Sequence, residues 1–457
     1  MIDFSVSEAA TILHGEAVNG DVRFNNVSTD SRTLDGDALF VAIPGENFDG
    51  HDYVARAATQ GAVAALVERK LDVGIPQIIV NDVRIALLQL AGAWRSKSDA
   101  VVIALTGSNG KTTVKEMLAA ILSLQGSVLA TIGNLNNEIG VPLTLTRLQN
   151  EAFAVIEMGA NHAREIHQLS VITSPHVALL NNAGRAHLEG FGSIEGVARA
   201  KAEIVDGLHS DGIFVCNGES QWLPLWRDLA DDHQVITFGR TDACDVRLEK
   251  NSSTTLWNES GFEQQFEVHA GAQRFTLQLP LAGEHNRMNA LAAVAVCVAL
   301  RIDHSLIHDG LKSIRPVPGR LFPRRNAAGV RIIDDTYNAN PDSVAAAIAV
   351  LGDFSANRVL VLGDLAELGG DVKAIHADLG RAAADAGIDK LYTLGPMSAA
   401  AAAAFGNNGF VFNDIDALND ALQSQLDDRH VVLVKGSRAA RMERIVEALT
   451  ANEDIGC

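Results

Sequence analysis

The chain is poor in aromatic residues and in cysteine. Aromatic residues make up 5% of the 457 residues, although hydrophobic residues as a whole make up 47%. A large core must therefore consist mainly of Ala, Val, Leu and Ile, and apolar runs of this kind are typical of parallel sheets covered by helices. The four cysteines, Cys216, Cys244, Cys297 and Cys457, are far apart and form no C-x-x-C pair. This spacing favours neither a zinc site nor a disulfide framework, and we expect a reduced cytoplasmic setting.

Signals for membranes and nucleic acids are also missing. No apolar run reaches the roughly 20 residues that cross a bilayer, so membrane insertion is not expected. The segment MIDFSVSEAATILHG has no basic region followed by an apolar core, so no signal peptide is expected. The net charge of −19 repels nucleic acid and anionic lipid. An anionic ligand would need local lysine and arginine side chains to overcome this field.

Strand-like and helix-like segments alternate over most of the chain, which predicts an α/β fold. The length allows roughly two to four domains. We expect a small α/β domain at 1–85, a central parallel-sheet domain at 86–314 and a C-terminal doubly wound domain at 315–457. The third domain begins at RPVPGRLFPRR (315–325), whose three prolines and one glycine predict a linker or hinge.

The segment TGSNGKTT (106–113) follows the predicted strand AVVIALT and opens a predicted helix. Glycines allow the backbone to approach a phosphate closely, and a helix N-terminus offers free N–H groups. The spacing departs from the common G-x-x-x-x-G-K-[ST] pattern, because position 105 is leucine. Taken alone, the segment is compatible with a nucleotide site, with Lys111 on the phosphates and Thr112 on Mg²⁺, or with a glycine-rich turn.

Other polar residues follow the ends of predicted strands. Glu157 lies in AFAVIEMG, and His187 lies shortly after HVALLNN. Ligands of open α/β sheets bind at such carboxyl ends, although each residue alone is compatible with a structural or simply exposed position. Lys201 lies in the next predicted helix, for which Ser193 is the expected N-cap. A lysine there becomes useful if it is neutral, or if CO₂ converts it to a carbamate that can bind Mg²⁺.

Several motifs together resemble the Mur ligase family, and they cover nearly the whole chain in the family's order. The motifs are TGSNGKTT, TIGNLNNEIGVPLTL, VIEMGAN, AHLEGFGS, VARAKAE, AGEHNRMNALAA, PGR and DDTYNANPDS. The short phosphate loop is that family's normal form, which argues against a generic GTPase or ATPase. GNLNNEIGVPLTL, DDTYNANPDS, VLGDLAELG and VLVKGSR resemble the members that add D-alanyl-D-alanine. The DNPR motif of the diaminopimelate-adding members is absent.

The resemblance implies a ligase that uses ATP to join D-alanyl-D-alanine to UDP-N-acetylmuramoyl-tripeptide in peptidoglycan precursor synthesis. ATP would convert a substrate carboxylate to an acyl phosphate, which the incoming amine would attack with release of phosphate. The implied architecture is a UDP-binding domain, a phosphate-loop ATPase domain and a Rossmann-like domain, in a cytoplasmic monomer. Three alternatives stay open: a neighbouring ligase of the family, a folylpolyglutamate synthetase, or a nucleotide-binding regulatory protein without catalysis.

Roles for individual residues also follow from the resemblance. Two Mg²⁺ ions are expected, one held by Thr112 and Glu157 and one by His187 and carbamylated Lys201. Arg320 would reach the γ-phosphate when the C-terminal domain closes. The residues expected to position the reactants and neutralise their charge are Lys111, Glu157, His187, Lys201 and Arg320. The expected ATP contacts are Thr106, Gly107, Ser108, Asn109, Gly110, Lys111, Thr112, Thr113, Asn286, Asn289, Arg320 and Asp335.

The resemblance places the remaining candidates at the sugar–peptide and dipeptide substrates. The expected contacts are Ser31, Arg32, Asn47, Asp49, His51, Asn134, Asn136, Asn137, Asn338 and Asn340. Turn chemistry is the competing explanation for the polar loop residues among them, because Asn and Asp side chains bond readily to nearby backbone groups.

Overall fold

The computed structural model describes residues 1–45, 47–185, 187–249, 255–258, 261–368 and 370–451. In these residues the strands form three main sheets that are covered by helices, as the sequence predicts. Cys216, Cys244 and Cys297 are buried free thiols, and Cys457 lies outside the described residues. No helix in the described part is long and apolar enough to cross a membrane.

The N-terminal sheet is formed by short strands with the order β2-β7-β6-β5-β4, in which β2 alone runs antiparallel to its neighbour. Ser5 caps the first helix, since its hydroxyl accepts a hydrogen bond from the Glu8 amide at 3.1 Å. The elements are β1 Phe4–Ser5, α1 Val6–Leu13, β2 Glu16–Val18, β3 Arg23–Phe24, β4 Asn26–Ser28, β5 Ala38–Val41, α2 Val54–Thr59, β6 Ala62–Val67, β7 Gln77–Ile79 and α3 Val83–Arg95. Helix α3 packs its apolar side on this core, and the domain boundary at 85/86 stays a prediction.

The central sheet is parallel over most of its width. Its strands and helices are β8 Val101–Thr106, α4 Lys111–Leu122, β9 Val128–Ala130, α5 Gly140–Leu145, β10 Phe153–Glu157, α6 Glu165–Thr173, β11 Val177–Leu180, α7 Leu188–Phe191, α8 Ile194–Ala202, β12 Ile213–Asn217, α9 Leu223–Ala230, β13 Gln234–Gly239, β14 Val246–Leu248, β15 Thr255–Asn258, β16 Gly261–Ala270, β17 Gln273–Leu279, α10 Glu284–Ala299 and α11 His304–Ser313. The order is β9-β10-β8-β11-β12-β13-β14, and β16 extends it antiparallel, with β15 and β17 on either side.

Strand β8 lies at the point where the strand order of the central sheet reverses. The chain leaves β8 towards β9 and β10 on one side and returns to β11 on the other. Glu157 at the end of β10 is opposite Leu105, and Leu180 at the end of β11 is opposite Thr106. Ligands of open α/β sheets bind at such a reversal, at the carboxyl ends of the strands.

The C-terminal sheet has the order β18-β19-β23-β20-β21-β22, and β18 alone is antiparallel to its neighbour. Strand β23, the last in sequence, is inserted between β19 and β20, so that their carboxyl ends meet. The elements are β18 Phe322–Arg325, β19 Arg331–Asp335, α12 Pro341–Gly352, β20 Asn357–Gly363, α13 Val372–Asp385, β21 Lys390–Leu394, α14 Ala399–Phe405, β22 Gly409–Phe412, α15 Ile415–Gln425, β23 His430–Lys435 and α16 Glu443–Thr450.

The proline-rich segment 315–325 is only partly a linker. Its last four residues form β18, which pairs antiparallel with β19, so the expectation of a linker throughout 315–325 is wrong. Pro323 is tolerated because β18 lies at the edge of the sheet, where a missing N–H disturbs no further ladder.

Three aromatic rings, which are far in sequence from the phosphate loop, join the central and C-terminal sheets. The ring centroids of Trp257 and Phe262, from β15 and β16, are 4.7 Å apart. Phe354, after α12, lies 5.6 Å from Trp257 and 6.1 Å from Phe262. Phe262 belongs to the apolar core of the C-terminal domain. We call these three rings the aromatic contact.

Candidate active site

A cleft of about 950 Å³ is lined by the carboxyl ends of the central and C-terminal sheets. It brings together most of the residues expected to handle ATP. The lining includes Ser108, Asn109, Gly110, Lys111, Thr112, Thr113, Asn134, Asn136, Asn137, Glu157, His187, Asn286, Asn289, Arg320, Asp335, Asn338 and Asn340. Thr106, Gly107 and Lys201 do not line this cleft.

The phosphate loop turns into α4 through Gly110, whose φ of 81° is left-handed. A Cβ at this position would lie 2.3 Å from Asn289 Oδ1, so both the conformation and the packing require glycine. No side chain caps the N-terminus of α4, which leaves N–H groups and the positive end of the helix dipole for an anion. The sequence-predicted loop therefore has the backbone of an anion site.

Lys111 lies inside the loop, where its ammonium donates a hydrogen bond to the Gly107 carbonyl at 2.7 Å. Removal from water lowers the pKa of Lys111, the Arg320 cation lowers it further, and Glu157 opposes both. Glu157 therefore compensates the ammonium only in part, and a bound phosphate would add to that compensation.

Two asparagines that follow β11 fix the loop from behind. Asn181 Nδ2 donates to the Asn109 carbonyl and to Asn289 Oδ1, each at 3.0 Å. Asn182 accepts from the Asn109 amide at 2.8 Å and donates to its carbonyl at 2.9 Å. The NN pair of HVALLNN is a functional signal that sequence analysis quoted without assigning.

Helix α10 begins at Glu284. The polar EHNRM segment already makes the first turn, so Asn286 and Asn289 are three residues apart on one helical face. Both are buried, and Asn289 Nδ2 donates to Asn286 Oδ1 at 3.1 Å. Their expected contact with ATP stays a prediction.

Glu157 is a buried carboxylate with one unpaired oxygen. Its side chain is 2% exposed, its Oε1 accepts from Asn136 Nδ2 at 2.8 Å, and its backbone amide donates to Thr131 Oγ1 at 2.9 Å. Its Oε2 has no hydrogen-bond partner within the described residues. A buried anion with a free oxygen is costly unless a cation or donor is added.

His187 is the N-cap residue of α7 and touches the C-terminal domain. Its Nδ1 lies 2.8 Å from Glu367 Oε2. Burial lowers the pKa of His187, Lys111 and Lys201 lower it further, and Glu367 opposes the shift. The neutral imidazole, which is the form that binds metals, is therefore favoured.

Lys201 is buried on α8, where its residue is 1% exposed. Its Nζ lies 5.8 Å from the centre of the Phe191 ring and makes no hydrogen bond to a described residue. Burial lowers its pKa well below the ordinary value, and the Lys111 cation adds to the shift. The neutral amine is the form that reacts with CO₂. Ser193 caps α8 as predicted, because its hydroxyl accepts from the Gly196 amide at 3.0 Å.

The C-terminal domain is already in contact with the phosphate loop. Arg320 Nη2 donates to Thr112 Oγ1 at 3.1 Å, and its guanidinium lies 4.1 Å from the centre of the Tyr337 ring. Asn340 Nδ2 donates to Asn109 Oδ1 at 2.8 Å. The Thr112 hydroxyl, expected on Mg²⁺, here accepts a hydrogen bond from arginine.

A second contact between the two domains lies beside the loop. Arg185 Nη2 is 2.8 Å from Asp342 Oδ1, and the Arg185 backbone amide donates to Asp342 Oδ2 at 2.8 Å. Gly184 permits this approach, since a Cβ there would lie 2.6 Å from Asp342 Oδ2.

Asp335 and Lys435 end the neighbouring strands β19 and β23 and face each other in register. Lys435 Nζ lies 2.6 Å from Asp335 Oδ2 and also donates to the Asn338 carbonyl at 3.0 Å. The Leu321 amide donates to Asp335 Oδ1 at 3.1 Å. Both carboxylate oxygens of Asp335 therefore have protein partners, and its expected contact with ATP stays a prediction. Lys435 lies in the VLVKGSR motif, from which its pairing with Asp335 could not be predicted.

The polar loop residues near the cleft also stabilise local structure. Asn137 Oδ1 accepts from the Gly140 amide at 2.9 Å at the start of α5. Asn340 Oδ1 caps α12 through the Ser343 amide at 2.8 Å. Asn338 Oδ1 accepts from the Ala339 amide at 2.9 Å. Thr106 Oγ1 donates to the Met158 carbonyl at 2.8 Å.

The N-terminal candidates do not line the cleft. His51 Nδ1 lies 2.6 Å from Asp49 Oδ1, and its Nε2 accepts from the Glu68 amide at 2.8 Å. Arg32 pairs with Asp30 at 2.7 Å. Ser31 is buried and Asn47 exposed. Turn and ion-pair chemistry accounts for these contacts, so their role in UDP binding stays a prediction.

Comparisons with known proteins cover the whole chain. Three family models match: "Mur ligase family, catalytic domain" over 23–95, "Mur ligase middle domain" over 105–297 and "Mur ligase, glutamate ligase domain" over 319–438. The chain is 44% identical over 465 residues to the UDP-N-acetylmuramoyl-tripeptide–D-alanyl-D-alanine ligase of Escherichia coli K12, with 99% of both chains covered. It is 34% identical over 467 residues to the protein of that name from Bacillus subtilis 168, with 98% of this chain and 99% of that one covered.

Solved structures also match this chain over nearly its full length. MurF from Acinetobacter baumannii superposes with a TM-score of 0.91 at 36% identity, covering 98% of this chain and 99% of that one. The MurF ligase of Thermotoga maritima in complex with ADP has a TM-score of 0.82 at 30% identity, with 93% and 96% covered. These likenesses confirm the three-domain α/β architecture. The chain belongs to the Mur ligase family.

Proposed function

We propose that this protein is an ATP-dependent carbon–nitrogen ligase that joins D-alanyl-D-alanine to UDP-N-acetylmuramoyl-tripeptide. The products are the pentapeptide, ADP and phosphate, in the synthesis of peptidoglycan precursors. The observation that carries the proposal is the cleft, in which Arg320 and the unpartnered Oε2 of Glu157 lie beside the phosphate loop and its Lys111. The full-length similarity to ligases of this specificity supports the choice of substrates.

The geometry suits the activation of a carboxylate. A carboxylate is a poor electrophile, so phosphorylation must supply a leaving group, and two anions must then be brought together. Lys111 and the uncapped N-terminus of α4 would hold the β- and γ-phosphates. Arg320 already reaches the loop from the C-terminal domain, where it would neutralise charge on the transferred phosphoryl group.

The residues around Thr112 and Glu157 fit a magnesium ion. A hydroxyl and a carboxylate are hard oxygen donors of the kind that Mg²⁺ prefers, and Glu157 Oε2 is buried without a partner in the described residues. Bound Mg²⁺ would neutralise phosphate charge and favour attack at the γ-phosphorus. Arg320 would have to release the Thr112 hydroxyl when that oxygen binds the metal.

A second magnesium ion would need more than the present side chains. No group of three or more His, Cys, Asp or Glu side chains suited to a metal is found in the described part of the chain. A carbamate on Lys201 would add two oxygen donors beside His187. Burial lowers the pKa of the Lys201 amine, which favours the uncharged form that this modification requires.

Substrate requirements test the proposal directly. Phosphate release from ATP should require both UDP-N-acetylmuramoyl-tripeptide and D-alanyl-D-alanine. Lys111→Ala should remove turnover, while Lys97→Ala, a change outside the cleft, should not. Turnover with an L-amino acid and none with the dipeptide would instead assign the chain to a neighbouring ligase, and turnover with a folate substrate to a polyglutamate synthetase.

We also propose that the protein acts as a cytoplasmic monomer. The cleft is lined by residues of the central and C-terminal domains of the same chain. Light scattering should give the mass of a single chain, 48.5 kDa. A stable dimer at micromolar concentration would contradict this proposal.

A further inference from the structure

The part of the cleft wall formed by the C-terminal domain contains two charged groups to which the ATP chemistry gives no task. Among the described residues, the charged side chains of this domain on the cleft are Arg320, Asp335, Glu367, Lys435 and Arg438. Arg320 contacts the phosphate loop, and Asp335 and Lys435 neutralise each other. One anion and one cation remain, Glu367 and Arg438.

Arg438 offers a guanidinium with unused donors. Its side chain is 68% exposed, and its nearest recorded acidic partner, Glu443 Oε1, is 3.7 Å away, beyond hydrogen-bond distance. The guanidinium makes no hydrogen bond to a described residue. The backbone is held, because the Arg438 amide donates to Asn338 Oδ1 at 3.3 Å. A fork of free donors at a fixed position suits a carboxylate.

Glu367 presents a carboxylate from the loop that follows β20. Its backbone has a left-handed φ of 58°, which is uncommon for a residue other than glycine. Oε2 contacts His187 Nδ1 at 2.8 Å, while the side chain stays 60% exposed. Oε1 accepts no hydrogen bond from a described residue and is available for a cation.

The loops that carry these residues are tied together. Strands β20 and β23 are neighbours, with Leu362 opposite Lys435. Ser437 donates to the Asp364 carbonyl through its amide at 3.1 Å and through its hydroxyl at 2.7 Å. Glu367 is three residues after Asp364, and Arg438 directly follows Ser437. A cation and an anion therefore stand on adjacent, cross-linked loops of one cleft.

We propose that Arg438 binds the carboxylate of the incoming D-alanyl-D-alanine and that Glu367 binds its ammonium group. The inference rests on the proposed function and deepens it, because a free dipeptide is a zwitterion that needs one group of each sign. It also fixes the direction of the dipeptide. Glu367 touches His187, which is expected beside the acyl-phosphate centre, so the amino end faces the reaction and the carboxylate end points to Arg438.

The carboxylate half is tested with two acceptors, D-alanyl-D-alanine and its C-terminal amide. In the unmodified enzyme the KM for the amide should be about 10- to 100-fold higher than the KM for D-alanyl-D-alanine. This factor corresponds to the loss of one charge-assisted hydrogen bond. Arg438→Ala should raise the KM for the dipeptide by a similar factor and should no longer distinguish acid from amide. Arg438→Lys should restore part of the preference, and the KM for ATP should not change. Arg381→Ala, at an exposed arginine on α13 outside the cleft, is the matched control.

The ammonium half is tested with Glu367→Gln, which keeps the size of the side chain. Dipeptide binding, measured by calorimetry in the presence of UDP-substrate and a non-hydrolysable ATP analogue, should weaken by about 10-fold or more. The Mg²⁺ concentration needed for half-maximal binding of the ATP analogue should stay within about two-fold of the value for the unmodified enzyme. A two-fold change is well below the effect of losing one such contact. Glu447→Gln, on the exposed side of α16, is the control.

Two results would overturn the inference. If the Arg438→Ala enzyme still has a lower KM for the acid than for the amide, Arg438 does not bind the carboxylate of the dipeptide. Glu367→Gln that changes the Mg²⁺ requirement but leaves dipeptide affinity intact would show that Glu367 only orients His187. If the unmodified enzyme makes no pentapeptide from D-alanyl-D-alanine, the proposed function itself is wrong. This outcome is distinct from the results expected for the Arg438 and Glu367 variants.

Discussion

The buried ion pair between Asp335 and Lys435 leads to a quantitative prediction for the C-terminal domain. The two side chains are 12% and 2% exposed, and the charged atoms are 2.6 Å apart. Replacing Lys435 with Met keeps most of the length and apolar stem but removes the charge. Asp335 then keeps only the Leu321 amide as a partner at Oδ1.

The size of the effect follows from two opposing terms. At an effective dielectric constant of about 20, two unit charges at this distance attract by about 6 kcal/mol. Desolvation of both ions cancels much of that gain, so the pair as a whole contributes little. Removing only the cation leaves a buried carboxylate uncompensated, and we expect Lys435→Met to destabilise the domain by about 3–5 kcal/mol. The double variant Asp335→Asn/Lys435→Met has no unpaired charge, and it should be more stable than the single variant by about 2 kcal/mol.

Hydrogen exchange of the β19 and β23 amides is the appropriate assay, because a three-domain chain does not unfold in one step and exchange reports opening of the strands themselves. The amides of β12 in the central sheet provide an internal control that should not change. If Lys435→Met lowers the free energy of opening by less than about 1 kcal/mol, the reasoning is refuted, because an exposed ion pair contributes that much. A double variant no more stable than the single one would also refute it.

Three further changes have defined outcomes. Lys201→Ala should lower kcat by about 100-fold or more, since ligand loss at a metal site costs at least that much, and formate should restore part of it; unchanged turnover would contradict a carbamate. Burial lowers the pKa of His285 from 6.5 to about 4, so as pH falls through this window the unfolded chain binds a proton that the folded chain does not, and stability falls. His285→Gln should flatten this loss between pH 7 and pH 5 in the urea transition that unfolds the central domain containing α10, and an unchanged slope would argue against it. Asp342→Ala removes the partner of Arg185, and small-angle scattering of the nucleotide-free protein should show a larger radius of gyration, which an exposed change such as Glu195→Ala should not produce.

Sequence patterns predicted the strands at the site because those strands are buried on both faces and read as continuous apolar runs. Strands β8, β10 and β11 begin within one residue of the predicted segments AVVIALT, AFAVIEMG and HVALLNN, and candidate residues lie at or beyond their carboxyl ends. Strand β18 was not predicted because Pro323, judged from its sequence neighbours alone, indicates the end of a strand. Only the tertiary position at a sheet edge makes that proline acceptable.

The connections within the cleft could not be predicted from local pattern. Asn109 and Asn181 are 72 residues apart in the chain, and Arg320 and Thr112 are 208 apart. Motifs indicate that such residues belong to one site, but they do not specify donors and acceptors. The free oxygen of Glu157 and the pairing of Asp335 with Lys435 emerge only from packing.

The aromatic contact of Trp257, Phe262 and Phe354 has a consequence for how the molecule opens. Apolar contact is non-directional, so these rings can roll over one another with little change in buried area. The polar contacts at the cleft depend on angle and break with a small rotation. We therefore expect the aromatic contact to persist if the C-terminal domain rotates to admit nucleotide, while the hydrogen bonds of Arg320 and Asn340 and the Arg185–Asp342 ion pair break.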